Sequence, residues 1–332
     1  MKNKTKLLLA LALASALDAD QLSFQFNNDA FAGTDRHYSN GVALSWMDDT
    51  YKHKVTSDIS YYSRFMLGAF NVLTIDGLEK SRKYNTGVSI SQAILTPDDV
   101  TQSIAQYNDM PYAAYLGVSF YIFEWDNDSF NEYRIRFGVV GEEAQGEAMQ
   151  NGFHSLISNS EAKGWDTQLK TQYNATVLLQ HGEISWEYHK KDSFSMDWFN
   201  NFGAQVGNFT TEVFAGTMFR FGDNYSRGFN AHSPLLNEEA SMIQPNKRND
   251  KFGWSLSAGL SAALQAYSYI IEESRDQGYE VSKKAFSGSL YVGNDLFYQK
   301  HKLTLFYKSP TKYSDQQNER DIFGGFTYSY AF

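Results

Sequence analysis

The run from Phe252 to Gln265 alternates without a break between larger apolar side chains and small or polar ones, and this pattern constrains the fold more than any other feature. Residues i and i+2 of a strand share one face. Leu256 and Leu260 therefore lie on one face, while Ser255 lies on the other. Fourteen residues make a long strand for a soluble sandwich. Apolar side chains towards lipid and small polar ones towards a lumen are typical of a membrane barrel.

Shorter copies of this alternation recur along the chain. They are Leu22/Phe24/Phe26, Val42/Leu44/Trp46, Val88/Ile90, Ala114/Leu116/Val118/Phe120/Ile122, Tyr133/Ile135/Phe137/Val139, Phe202/Ala204/Val206, Val213/Ala215/Thr217/Phe219/Phe221, Leu290/Val292 and Leu303/Leu305/Tyr307. A further strand is predicted near Tyr173–Tyr188, and another at the C-terminus. All five prolines lie between these runs or at their ends, as ladder hydrogen bonding requires. The sequence predicts an all-β fold, a transmembrane antiparallel up-and-down β-barrel of about twelve strands.

Both ends of the chain carry features of an exported protein. Residues 1–16 contain three lysines, an apolar run and Ala14-Ser15-Ala16, which is the order of a signal peptide cut after Ala16. The chain ends with aromatic residues at alternate positions from Phe326 to Phe332. An ordinary edge strand could end this way, but we interpret it as the strand that engages the barrel-assembly machinery. We predict a single domain over residues 17–332, a monomer in the bacterial outer membrane.

Composition narrows the possible classes of protein further. After residue 16 no stretch approaches the roughly 18 consecutive apolar residues of a membrane helix. Aromatic residues make up 16% of the chain, which suits the interfacial girdles of a barrel. The chain has no cysteine, so no disulfide stabilises it. A net charge of −9 argues against nucleic acid as a partner, because nucleic-acid binding needs a basic surface.

An even number of strands places alternate connections at the same end of the barrel. With both termini in the periplasm, the outward connections are Asp29–Tyr38, Pro97–Asp109, Gln145–Lys170, a turn near Asn208, Tyr267–Glu280 and Thr311–Glu319. The segments Asp48–Tyr84 and Asp223–Asp250 are then periplasmic. Inward-facing Arg134, Arg136, Arg220 and Glu212 are predicted to fill or line the lumen.

Polar residues flank the first outward connection. Asn28 and Asp29 close the first strand, and Ser39 lies where the second strand begins. A hairpin brings these segments together, so the Asp29 carboxylate and the Ser39 hydroxyl could share a hard cation through oxygen ligands. The alternative is ordinary loop chemistry, since Asn, Asp, Ser and Gly are the residues that turns prefer.

The connection Gln145–Lys170 contains Gln150 and His154, spaced i and i+4. If Ala148–Ile157 forms a short helix, both side chains lie on one face. The imidazole could then accept a proton from a water molecule that Gln150 orients. The alternative is an exposed loop histidine. The sequence contains no Gly-x-Ser-x-Gly elbow, no His-Glu-x-x-His helix and no phosphate-binding glycine loop.

Six motifs, in this order, resemble the lipid A 3′-O-deacylase (LpxR-type) family of outer-membrane barrels. They are Asn28-Asp29, Asp35-Arg36-His37-Tyr38-Ser39-Asn40-Gly41, Thr96-Pro97-Asp98, Pro111-Tyr112-Ala113, Gln150-Asn151-x-x-His154 and Gly164-Trp165-Asp166-x-Gln168. They cover the first half of the mature chain, and the second half matches only as strands.

The resemblance implies a calcium-dependent hydrolase that removes the 3′-linked acyloxyacyl group from lipid A of lipopolysaccharide. His154 would be the general base, with Gln150 as its motif neighbour. Asn28 would stabilise the oxyanion, and Asp29, Ser39 and Glu161 would serve the Ca²⁺ site. Two alternatives stay open: a non-catalytic channel or structural barrel, and a phospholipase with the same site.

The chain departs from the family's pattern at two places. The family's deacylase carries a Lys-Arg pair after the proline that ends its third strand, where this chain has Asp98 and Asp99. Many relatives have arginine where this chain has Met110. This connection therefore offers no basic pair to a lipid phosphate, and another loop would have to supply one.

Overall fold

The computed structural model describes residues 19–33, 37–52, 59–70, 82–157, 160–189, 194–225, 228–229, 249–312, 314 and 320–332. The predicted signal peptide, residues 1–16, lies outside this part of the chain. Within it the strands are β1 Ala19–Asn28, β2 His37–Asp48, β3 Tyr51–Lys52, β4 Lys83–Thr96, β5 Ala113–Trp125, β6 Ser129–Val140, β7 Gln172–His189, β8 Phe194–Gly207, β9 Thr210–Asp223, β10 Asn249–Ser268, β11 Phe286–Gln299, β12 His301–Pro310 and β13 Phe323–Ala331. The α-helices are α1 Tyr61–Phe70, α2 Gly146–Ile157 and α3 Tyr269–Asp276.

The strands form one closed antiparallel barrel. Each wall strand pairs with its neighbours in the chain, and β1 pairs with β13 from Gln21↔Ala331 to Asn28↔Gly324. Strand β2 pairs directly with β4, so the two-residue β3 only extends the edge beside β4. Twelve strands therefore build the wall, as the alternation predicted. No described helix is long and apolar enough to cross a bilayer.

Side chains alternate between the two faces of the wall as predicted. In β10 the side chains of Leu256 and Leu260 are 40% and 59% exposed, whereas Ser255 and Ser257 are buried. The outward residues form the lipid-facing belt, because a barrel in a bilayer presents its apolar face to lipid. Outward and inward positions can thus be assigned on each strand by counting in steps of two.

The periplasmic half of the lumen is filled by side chains. Phe229, which follows β9, packs between Phe130 and Phe199, with ring centroids 4.9 and 6.1 Å away. Arg220 donates two hydrogen bonds to the carboxylate of Asp197, at 2.8 and 2.9 Å. It also donates to the carbonyl oxygen of Gly228 at 2.6 Å. These contacts hold Gly228 and Phe229 inside the barrel near its periplasmic end.

The predicted inward charges are all buried, which confirms that they line the lumen. Arg134, Arg136, Arg220 and Glu212 are each at most 3% exposed. Arg134 Nε donates to Glu132 at 2.6 Å, so its charge is paired within the wall. The connections at the opposite end, which follow β1, β4, β6, β8, β10 and β12, form the outer rim.

Candidate active site

Helix α2 lies against the outward face of the wall at the outer rim. It contacts β4 and β5, and Gln92 Nε2 on β4 donates to the carbonyl oxygen of Ala144 at 2.6 Å. Its first residue, Gly146, comes so close to β5 that an added Cβ would lie 2.5 Å from the Cβ of Ala114. The helix predicted over Ala148–Ile157 is confirmed and begins two residues earlier. We call the region where α2 meets the outward face the helix–wall cleft.

A buried tryptophan fixes Gln150 in this cleft. Trp165 packs on Tyr112 with ring centroids 5.0 Å apart, and it shares an apolar cluster with Ile94 and Ala114 of the wall. Its Nε1 donates to Gln150 Oε1 at 2.9 Å. Gln150 Nε2 is buried and has no hydrogen-bond partner among the described residues. The amide is therefore held with its donor end available to a ligand.

His154 is buried on the last turn of α2. Its Nδ1 lies 2.5 Å from the carbonyl oxygen of Ser160. A carbonyl oxygen only accepts, so Nδ1 carries the proton of the neutral ring, and in that ring the lone pair is on Nε2. Asn151 holds the following loop with two hydrogen bonds to the backbone of Ala162. The ring is thus set in the tautomer that a general base requires.

The end of β1 carries the second group of predicted residues. Asn28 Oδ1 accepts a hydrogen bond from the N–H of Ala30 at 2.7 Å and caps the short 3-10 turn Asp29–Ala32. Asn28 and Asp29 are both buried, at 5% and 3% exposure. The parity of β1 puts Asn28 on the outward face with Phe26.

The two groups meet through an aromatic contact. Phe153 on α2 packs against Phe26 on β1 with ring centroids 5.6 Å apart. Phe153 precedes His154, and Phe26 lies two residues before Asn28. The structure therefore brings the predicted base and the Asn28-Asp29 pair to the same rim and the same side of the wall.

The other two predicted metal ligands are Ser39 and Glu161. Ser39 lies in β2, but its side chain is outside the described part of the structure. Glu161 is exposed and directly follows Ser160. Across the described residues, no three acidic, histidine or cysteine side chains converge as a metal site. The assignments of Ser39 and Glu161 stay predictions.

A family model matches almost the whole chain. The model of the outer-membrane protein LpxR family matches residues 5–332. The chain belongs to the LpxR family. No curated protein sequence matches it.

Comparison with solved structures shows which known barrel has the same fold. LpxR from Salmonella typhimurium superposes with a TM-score of 0.74 at 16% identity, covering 94% of this chain and 100% of that chain. The β domain of the Bordetella autotransporter BrkA gives a TM-score of 0.43 at 10% identity, covering 95% and 100%. Membership of the LpxR family confirms the resemblance, the closed twelve-strand barrel and the outer-membrane location, and it supports a function of the lipid A deacylase type.

One residue of the cleft in this LpxR-family chain, Asn40, had no role predicted from the sequence. Asn40 on β2 is 5% exposed, and its Oδ1 has no hydrogen-bond partner among the described residues. It pairs with Ile94, which packs with Trp165 beneath α2. The position of Asn40 in the strand could have indicated this, because Asn40 lies two residues before outward-facing Val42 and therefore on the same face. A buried amide oxygen of this kind is a suitable ligand for a hard cation.

The rim beside the cleft is acidic in this member of the LpxR family. The carbonyl oxygen of Val100 accepts from the N–H of Lys163 at 3.0 Å, so the loop that carries Asp99 is joined to the segment after α2. Thr101 and Gln102 donate hydrogen bonds to Asp99 and lower the pKa of its carboxyl below the usual value. Asp99 therefore stays ionised at the rim.

Proposed function

We propose that the protein is a calcium-dependent hydrolase that removes an ester-linked 3′-acyl or acyloxyacyl chain from lipid A in the outer leaflet. One observation carries the proposal. His154, oriented through Nδ1, lies on a helix packed against the lipid-facing side of the wall, beside the strand end that bears Asn28 and Asp29. An acyl chain in the leaflet runs along that same side, so its ester can enter the cleft without leaving the membrane.

The chemistry follows from the tautomer of His154. Nε2 accepts a proton from water as the water oxygen forms a bond to the ester carbonyl carbon. The bond between the carbonyl carbon and the sugar oxygen then breaks. The proton passes from His154 to the departing sugar oxygen. The products are a free fatty acid and a sugar hydroxyl, with no covalent intermediate on the protein.

Two amides stabilise the reacting groups in this proposal. Asn28, whose Oδ1 caps the turn at Ala30, would use its Nδ2 group to stabilise the charge that develops on the carbonyl oxygen. Gln150 Nε2, held by Trp165 through Oε1, donates to the attacking water.

The oxygen donors at this rim suit calcium. Asp29 offers a buried carboxylate, and Asn40 offers a buried amide oxygen, which are the hard ligands that Ca²⁺ prefers. We propose that these two residues and Ser39 hold the ion. When bound, the ion supplies positive charge that stabilises an oxyanion and offsets repulsion between the acidic rim and lipid phosphates.

The first experiment is mass spectrometry of lipid A from cells that express the protein. In the second, the purified protein is incubated with lipid A in the presence of calcium or of a chelator, and the lipid is analysed in the same way. We expect a loss of mass equal to one acyl or acyloxyacyl group, in calcium only. His154→Ala should abolish it. His301→Ala is the matched control, because His301 begins β12 at the opposite end of the barrel.

Three outcomes would contradict the proposal in whole or in part. Full activity of the His154→Ala variant would remove His154 from the mechanism. Hydrolysis of phospholipid vesicles in place of lipid A would assign the same site to a phospholipase. Equal activity in calcium and chelator would reject the ion while leaving the histidine mechanism in place.

A further inference from the structure

Helix α1 lies outside the barrel, against the outward face of the wall near its periplasmic end. Met66 and Phe70 pack on Tyr84 of β4 and Ile122 of β5. Both wall residues are outward by the parity of their strands. The face they belong to is continuous with the lipid-facing belt, so α1 occupies space that lipid would otherwise fill.

Aromatic and hydrogen-bond contacts attach the start of α1 to the wall. The hydroxyl of Tyr62 donates to the carbonyl oxygen of Gly87 at 2.6 Å. The Tyr62 ring packs edge-on against Trp46 with centroids 5.3 Å apart. These contacts fix the orientation of the helix, and with it the face that points away from the barrel.

The helix also covers a carboxylate on the outward face. Asp48 ends β2 and is 1% exposed. The hydroxyls of Ser60 and Ser63 both donate to its Oδ2. A charge on the lipid face is costly unless it is hydrogen-bonded and shielded. Helix α1 therefore shields this carboxylate from the lipid.

The opposite face of α1 is aromatic and exposed. Tyr61 and Phe65, spaced i and i+4, are 91% and 72% exposed. Arg64 lies beside them, with its guanidinium 5.9 Å from the centre of the Tyr61 ring. Aromatic and basic residues together are typical of helices that lie in the interface of a bilayer.

We propose that α1 is an interfacial helix that inserts Tyr61 and Phe65 among the phospholipids of the periplasmic leaflet and places Arg64 at their phosphates. Three observations carry this: the helix packs on the lipid-facing belt, its contacts turn the aromatic pair outward, and its single exposed cation suits an anionic headgroup. The proposal is independent of the catalytic function, because α1 and the helix–wall cleft lie at opposite ends of the wall.

The test uses single cysteines, which the natural chain lacks. Phe65→Cys, labelled with an environment-sensitive fluorophore, is compared with two matched positions in the full-length protein. Leu256→Cys reports the lipid-facing belt, and Asn127→Cys reports the exposed turn between β5 and β6 at the same end of the barrel. The proteins are reconstituted in phosphatidylethanolamine and phosphatidylglycerol vesicles, with quenchers carried on lipid or dissolved in water.

We expect the lipid-borne quencher to act at position 65 at least about threefold more strongly than at position 127, approaching its effect at position 256. Iodide in water should show the reverse order. A label at position 65 that iodide quenches as strongly as at position 127 would overturn the proposal. Phe65 and Asn127 are exposed, so neither change removes packing, and heat-modifiable migration on gels verifies that each barrel is folded.

Discussion

Replacing Gly146 with alanine should shift the site while leaving the barrel intact. A Cβ at this position would lie 2.4 Å from the ring of Trp165 and 2.5 Å from the Cβ of Ala114. Ordinary contact begins at 3.4 Å, so α2 or the indole must move by about 1 Å. Both carry the site, because α2 bears His154 and the indole holds Gln150.

The size of the effect follows from this displacement. A misplacement of about 1 Å lowers the rate of an oriented reaction roughly 100-fold, which corresponds to about 2.7 kcal/mol in the barrier. The measurement is the initial rate of fatty acid release from lipid A by the purified protein.

Gly152→Ala is the matched control for this variant. It lies in the same helix, and a Cβ there would meet nothing within 4 Å, so the rate should stay unchanged. Alanine should even favour the helix by about 1 kcal/mol. Equal rates for the Gly146 and Gly152 variants would refute the argument from close packing.

Three further predictions concern the ion, the lumen and the closed barrel. Asn40→Leu should weaken calcium binding at least about tenfold in calorimetric titration. Asn27→Leu is the control and should leave calcium binding unchanged. The Asn27 side chain is also buried and has no hydrogen-bond partner among the described residues, but it faces the lumen. Unchanged binding by the Asn40 variant would exclude it as a ligand. Arg220→Met should lower the free energy of unfolding in urea by about 3–5 kcal/mol, because it leaves Asp197 buried without its cation; the double variant with Asp197→Leu should recover much of that loss, and no recovery would contradict the pairing. The parent protein should show no steady conductance in planar bilayers, because Phe229 and its neighbours fill the periplasmic half of the lumen; open-channel currents would favour the channel function.

The sequence could predict the wall because strand geometry is local. The side-chain period of a strand is two residues, so the alternation from Phe252 to Gln265 determined both the strand and its two faces. The same rule correctly placed Arg134 and Glu212 in the lumen. For Gln150 and His154 the spacing was less decisive, because i and i+4 share a face in a strand as well as in a helix, and it was the structure that showed the helix Gly146–Ile157.

Only the tertiary structure decided what covers the outward face. The two-residue period of side chains along a strand indicates that Phe26, Asn40 and Ile94 point away from the lumen. It does not indicate whether lipid or protein contacts them. Helix α2 covers the outer end of this face and α1 covers the periplasmic end, through contacts such as Phe26–Phe153 that join residues far apart in the chain.

The site itself shows the same division. The motifs that resemble the family predicted that His154, Asn28 and Asp29 carry the chemistry. It did not indicate that Ser160 supplies the carbonyl oxygen that sets the tautomer of His154, or that Trp165 holds Gln150. These partners depend on how the loop after α2 folds back on the helix, and long-range packing, rather than any local periodicity, determines that path.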